Sequence, residues 1–152
     1  MTIYFDMDGT IADLYAVENW LPKLRAYDVS PYLEAAPMCD MNQLLQKLNQ
    51  LQYLGVKIGI LSWCSKGATK EYNSAVRKAK RAWLKTQLPG FKFDEIHIVS
   101  YGKPKYRIAN DDGWLIDDED KNRTLWEWFK KESFDPTTED ILEILDTLMS
   151  NF

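Results

Sequence analysis

Histidine is nearly absent from this chain: His97 is the only one, and cysteine occurs twice, at Cys39 and Cys64. There is no Cys-x-x-Cys and no grouping of Cys with His. A structural zinc site and a disulfide framework are thereby excluded, and a reducing, cytoplasmic setting fits best. His97 alternates with Ile96 and Ile98 and reads as a structural strand residue, and nothing near Cys64 marks it as a nucleophile. No run approaches the ~20 apolar residues of a membrane span. Met1-Thr2 has no basic flank and the apolar run after it is too short for a signal peptide. Repeats and low-complexity tracts are missing. A net charge of −4 over 152 residues speaks against a general nucleic-acid binder. With 45% hydrophobic and 28% charged residues, the chain has the make-up of one globular domain, residues 1–152.

What is present is unevenly placed. Residues 66–85 hold seven Lys or Arg against one Glu, and residues 111–152 hold thirteen Asp or Glu against four Lys or Arg. The basic block reads as the solvated side of a helix over 65–88, with Val76, Ala79, Ala82 and Trp83 turned inward. Its first cations, Lys66 and Lys70, are placed to draw in an anion. Asp40 is a helix cap with Gln43 three residues on, followed by a stripe of Leu44, Leu45, Leu48, Leu51 and Leu54 and a stop at Gly55. Further helices are predicted over 13–21, over 122–129 and from Pro136 onward. Residues 14–39 read as a small helical insert, broken by Pro22, Pro31 and Pro37. Its Tyr15, Trp20, Tyr27 and Tyr32 either pack the insert or stack on a base. Asp111-Asp112-Gly113 reads as a solvated turn, and Glu119 and Asp120 as a helix start.

Four apolar runs read as strands: Ile3-Tyr4-Phe5, Val56 to Trp63, Phe93 to Tyr101, and Trp114-Leu115-Ile116. They alternate with helices, which predicts an α/β, three-layer Rossmann-like fold with a mainly parallel sheet. Each run ends in chemistry-bearing residues: Asp6-Met7-Asp8-Gly9-Thr10, then Ser62, then Lys103 and Lys105, then Asp117-Asp118. Carboxyl ends of parallel strands share one edge, where such sheets bind ligands. Three or four carboxylates gathered there repel one another and require a cation. An oxygen-only donor set favours Mg²⁺, which shares its coordination with a phosphate. A hydroxyl and an ammonium suit the remaining phosphate oxygens. One carboxylate is then free to attack phosphorus, and its neighbour to move the leaving-group proton.

This order of motifs resembles the haloacid dehalogenase-like phosphohydrolases, over about Ile3 to Asn122. The resemblance implies a phosphatase with Mg²⁺ as cofactor. It makes Asp6 the nucleophile and a metal ligand, and Asp8 the general acid and base, with its carbonyl on the metal. Met7, Gly9, Thr10, Ser62 and Trp63 fall around the phosphate, with Lys103 or Lys105 neutralising it. Lys105 is preferred as the catalytic lysine for its short spacing to the Asp pair. Asp118 becomes a direct metal ligand, and Asp117 acts directly or through water. The wording of the first and last motifs is also similar to 5′(3′)-deoxyribonucleotidases and their small bacterial and phage relatives, which implies a nucleotide as substrate. The insert is shorter than that branch's helical cap, so an open site for a nucleic-acid end, and hence 3′-phosphatase activity, is a second expectation. A non-catalytic phosphate-binding regulatory module is a third.

Overall fold

The computed structural model describes all 152 residues. Its central strand is β1 (Thr2–Phe5), four residues without access to solvent. A small antiparallel pair, β2 (Ala12–Asp13) and β3 (Ala36–Pro37), stands apart from the main sheet. The sheet is completed by β4 (Lys57–Trp63), β5 (Glu95–Val99), β6 (Gly113–Ile116) and β7 (Ser133–Phe134), in the order β5-β4-β1-β6-β7. Every pairing in it is parallel. The helices are α1 (Trp20–Arg25), α2 (Ser30–Glu34), α3 (Met41–Tyr53), α4 (Lys70–Gln87), α5 (Lys105–Ile108), α6 (Asp120–Phe129) and α7 (Ile141–Met149).

Strand alternation sorts the core into two layers. Ile3, Phe5, Ile58, Ile60 and Ile116 face α3, α7 and the second half of α4. Tyr4, Leu61 and Leu115 face Trp126 of α6, with Tyr106 and Ile108 of α5 beside them. The resulting α/β, three-layer Rossmann-like architecture is the one the strand and helix pattern predicts. The helix over residues 41–53 also begins as expected: Asp40 Oδ1 accepts from the N–H groups of Asn42 and Gln43. No helix is long and apolar enough to cross a membrane.

Several local expectations are corrected. Residues 13–21 are not one helix. Asp13 pairs with Ala36, Leu14–Ala16 form a single 3₁₀ turn, and Asn19 takes a left-handed conformation that redirects the chain into α1. Pro22 then fits in the first turn of α1, where no intrahelical N–H is needed. The long basic helix starts at Lys70, not Ser65, because Thr69 Oγ1 caps Tyr72 N–H. Within it Ala82 is exposed, and Leu54 at the end of α3 is also exposed. The last helix starts at Ile141, capped by Asp140 Oδ1, while Asp135 gathers Thr137 into a preceding turn. The fifth strand, β7, is only two residues long and leaves no periodic signature.

Residues 14–39 wrap against α4 rather than standing free. Tyr72 Oη donates to Asp28 O (2.6 Å), Trp83 Nε1 donates to Ala35 O (2.8 Å), and the Tyr32 and Ser65 hydroxyls share a hydrogen bond. Leu14, Leu24 and Tyr32 bury against Tyr72, Val76 and Ala79.

Gly113 is the first residue of β6, not the end of a turn. A Cβ there would lie 1.8 Å from Thr2 O, so the backbone of β1 occupies the space of a side chain. Gly113→Ala must push β6 away from β1, immediately upstream of the residues that end both strands. We expect it to lower stability by about 3 kcal/mol, read as a shift in the urea midpoint; an unchanged midpoint would show that the strands give way freely.

Candidate active site

Asp6 follows β1, and its backbone N–H still donates to Ile116 O of β6, so the strand's register carries into the site. The next residues close a tight turn in which Met7 O accepts from Thr10, Ile11 and Ala12. Met7 itself points into the core. The Gly9 and Thr10 N–H groups are spent inside this turn. Among the residues expected around a phosphate, Gly9 and Thr10 therefore act by other means. Gly9 has φ +80°, and a Cβ on it would lie 2.3 Å from Asp118 Oδ2. Glycine thus lets the Asp118 carboxylate lie flat against the turn. The Thr10 hydroxyl donates to Asp6 Oδ2 (3.3 Å) and reaches Asp118 Oδ1 at 3.5 Å.

Lys105, the first residue of α5, is buried between two carboxylates. Its Nζ donates to Asp6 Oδ1 (2.9 Å) and Asp117 Oδ2 (2.7 Å). Lys103, two residues earlier, is exposed, and only its carbonyl takes part, accepting from Trp63 Nε1. The geometry thus brings Lys105, not Lys103, to the aspartates. Burial alone would lower the Lys105 pKa, but Asp6 and Asp117 more than offset it and hold the ammonium above its ordinary value.

Asp117 and Asp118 follow β6 and differ in their surroundings. Asp117 Oδ2 also accepts from Asn122 Nδ2, and Oδ1 accepts from Glu119 N–H. Asp118 is half-buried, with the long Thr10 contact as its one hydrogen bond from a side chain. Burial, the Asp6 charge and the Asp117 charge push the Asp118 carboxyl up to about 8. Asp117 is also raised, by burial first and then by Asp6. Oxygens of Asp6, Asp117 and Asp118 lie within 4.8 Å of one another. That donor set is all oxygen and suits Mg²⁺. Asp6 and Asp118 have the least encumbered oxygens, whereas those of Asp117 are taken by three protein donors.

Sequence reasoning missed Lys80. This residue sits in α4 with its side chain 1% exposed, and its Nζ donates to Asp8 Oδ2 (2.7 Å), Ser62 Oγ (2.7 Å) and Trp63 O (2.8 Å). The signal was its register: Val76, Lys80, Trp83 and Leu84 recur at helical spacing and all are buried. Burial and the Asp6 charge raise the Asp8 carboxyl above its usual range, and Lys80 opposes them. Ser62, expected at the phosphate, is fully buried on Lys80 and does not line the open cavity. Ser65, in the following loop, does.

A cavity of about 430 Å³ opens above the aspartates. Asp6, Asp8, Lys105, Asp117 and Asp118 form its floor, and Tyr15, Trp20, Tyr27, Tyr32, Trp63 and Tyr101 its walls. Arg25 and Lys66 also reach it. Asp111 and Asp112 lie away from the site: Asp111 pairs with the amino terminus and Thr2.

Four carboxylates and two ammoniums meet here, an imbalance of two negative charges that one divalent cation would cancel. A raised carboxyl pKa means that the folded state holds its proton more tightly than the unfolded one. Stability of the metal-free fold therefore falls as pH rises from about 4 towards about 8. Mg²⁺ should raise the thermal midpoint more near pH 8 than near pH 5, relative to EDTA; a larger effect at the lower pH would contradict this site.

No protein-family model matches the chain, and no curated protein matches it. Solved structures do match. A chain of the Pnkp1/Rnl/Hen1 complex superposes with TM-score 0.58 at 15% identity, over 88% of this chain and 44% of that one. This protein thus spans less than half of that relative's length. A D,D-heptose 1,7-bisphosphate phosphatase from Burkholderia thailandensis matches with TM-score 0.52 at 13% identity, over 84% of this chain and 72% of its own. A second one, from B. bronchiseptica and complexed with magnesium and phosphate, gives TM-score 0.62 at 11% identity over 99% of both chains. At these identities the likeness is one of architecture: the chain has the fold of these bisphosphate phosphatases.

Proposed function

We propose that the protein is a Mg²⁺-dependent phosphomonoesterase of the haloacid dehalogenase-like type, acting on a nucleotide. The observation that carries this reading is the placement of Asp6 and Asp8. One residue apart, they are held by different lysines and differ in freedom. Asp6 is fixed by Lys105 and Thr10 beside Asp118, while Asp8 is half-buried with only Oδ2 engaged by a side chain. Asp6 and Asp118 would hold Mg²⁺, with Asp117 orienting Lys105 and Asn122 beside them. Bound there, the ion supplies positive charge to the phosphoryl oxygens.

Asp6 attacks phosphorus through a carboxylate oxygen, forming a P–O bond to the aspartate. The P–O bond to the leaving group breaks as Asp8 delivers its proton to the departing oxygen. Water then attacks the aspartyl-phosphate and gives its proton to Asp8, and the P–O bond to Asp6 breaks to release phosphate. Lys105 has spent two of its three N–H donors on Asp6 and Asp117. Its third is left for a phosphoryl oxygen. The raised Asp8 pKa suits a group that must first carry the proton it donates.

The aromatic walls support a planar base on the leaving group. Tyr15 packs edge-on against Trp20 with centroids 5.0 Å apart, and the Trp63 and Tyr101 rings lie tilted against each other at 4.9 Å. Tyr15, Tyr27 and Tyr101 are about half exposed, and aromatic rings at a cavity wall suit stacking with a base. A screen of phosphate monoesters should show release of phosphate from nucleoside monophosphates with Mg²⁺ and none with EDTA. Asp6→Asn should cut turnover at least about a thousandfold while the variant still folds, with a cooperative thermal transition. Undiminished turnover in that variant would sink the mechanism.

A second reading, phosphate removal from nucleic-acid ends, is favoured by α4. Lys70, Lys78, Arg81 and Lys85 are exposed, form no ion pairs, and fall on one side of the helix leading away from Lys66 at the cavity mouth. If the substrate is polymeric, the activity on 3′-phosphorylated oligonucleotides should fall steeply between low and physiological salt; a flat response returns the assignment to mononucleotides.

A further inference from the structure

The two buried lysines are not equivalent, and their difference assigns a role to Lys80. An ammonium has three donors. In Lys80 all three are used within the protein, on Asp8 Oδ2, Ser62 Oγ and Trp63 O, at 2.7 to 2.8 Å. The ammonium lies 5.1 Å from the Tyr32 ring centroid, and Val76, Trp83 and Leu84 are the buried residues of α4 nearest it in register. It therefore has no donor left for a phosphoryl oxygen, and it does not line the cavity.

We propose that Lys80 is a positioning residue for Asp8: from beneath the cavity it fixes one carboxylate oxygen so that the other is presented to the leaving group. Lys80 takes Oδ2 and leaves Oδ1 without a protein partner, at the residue that lines the cavity. A carboxylate on a glycine-flanked turn would otherwise be free to rotate about its side-chain bonds. Two anchors, Ser62 Oγ and Trp63 O, hold the ammonium itself on β4. The ordering thus runs from β4 through Lys80 to Asp8, and Ser62 belongs to this support. Proton transfer geometry is sensitive to displacements of an ångström or less, so the tether should act on the step in which Asp8 protonates the leaving oxygen. This inference rests on the phosphatase reading above.

Leaving-group dependence separates positioning from mere folding. A phosphate ester of p-nitrophenol needs little protonation of its leaving oxygen, whereas an alkyl phosphate such as glycerol phosphate needs it fully. Lys80→Met, compared with the unmodified protein on both esters, should lose at least tenfold more kcat on the alkyl ester, with KM changed less than about threefold. Introduced into an Asp8→Asn background, the same substitution should cost no further activity on either ester. Equal losses on both esters, a loss residing in KM, or a full additional loss in the double variant would overturn the role. Should Lys80→Met fail to fold, as judged by its thermal transition, Lys80→Gln, which stays polar but is one bond shorter, uncharged and unable to span all three partners, is read by the same criteria. The double variant removes the unpaired charge as well. If the unmodified protein hydrolyses neither these esters nor the nucleotides of the screen, the phosphatase reading falls and this role falls with it. If it is active and the variants lose both esters equally, only the role of Lys80 falls.

Discussion

Charge that has been taken out of water has to be matched, and most of this molecule is arranged around that requirement. Lys80 and Lys105 are buried, as are Asp6 and Asp117, and removing one partner of such a pair costs about 3–5 kcal/mol. The matching uses distant parts of the chain: β1 brings Asp6 and Asp8, β6 brings Asp117, α4 brings Lys80, and α5 brings Lys105. A parallel sheet with β1 at its centre is what allows them to meet, since β4 and β6 flank β1 and end at the same edge. With every aspartate ionised the side chains leave the balance negative, a deficit that bound protons or a divalent cation make up.

The two lysines divide the work. Lys105 stays partly unsatisfied at the cavity floor and is aimed at whatever binds there. Lys80 is saturated and below it. With Lys80 saturated by Asp8, Ser62 and Trp63, Lys105 is the one buried ammonium that keeps a donor free. The aspartates are divided in the same way, Asp117 held by three donors and Asp118 left open beside Gly9.

The parts of the site that were legible in the sequence are those that interrupt apolar strands. Asp6 and Asp117 follow such runs directly, with Asp8 and Asp118 just beyond, and the parallel direction of the strands puts all four at one edge. Lys105 was legible through its spacing to Asp117. Lys80 was not, because six other cations surround it in residues 66–85 and most of them are exposed; only the register of its buried neighbours set it apart. Ser62 ends an apolar run as the aspartates do, but the run continues by one residue, and its hydroxyl turns inward to α4. Residues 14–39 were the least legible. Their elements are a pair of two-residue strands and helices of five and six residues, too short for any period to show. They are held by bonds from Tyr72, Trp83 and Ser65, which lie far along the chain.

Those bonds tie the cavity wall to α4, the helix that also bears Lys80. Tyr32 makes the link most directly, since it joins Ser65 and stands over the Lys80 ammonium. Divergence of this wall is therefore not free of the buried charges below it. Substitutions that reshape the wall also shift the helix whose Lys80 holds Asp8. Descendants of this chain should change their substrates through the outer rim, at Tyr15, Tyr27 and Tyr101, more readily than through Tyr32.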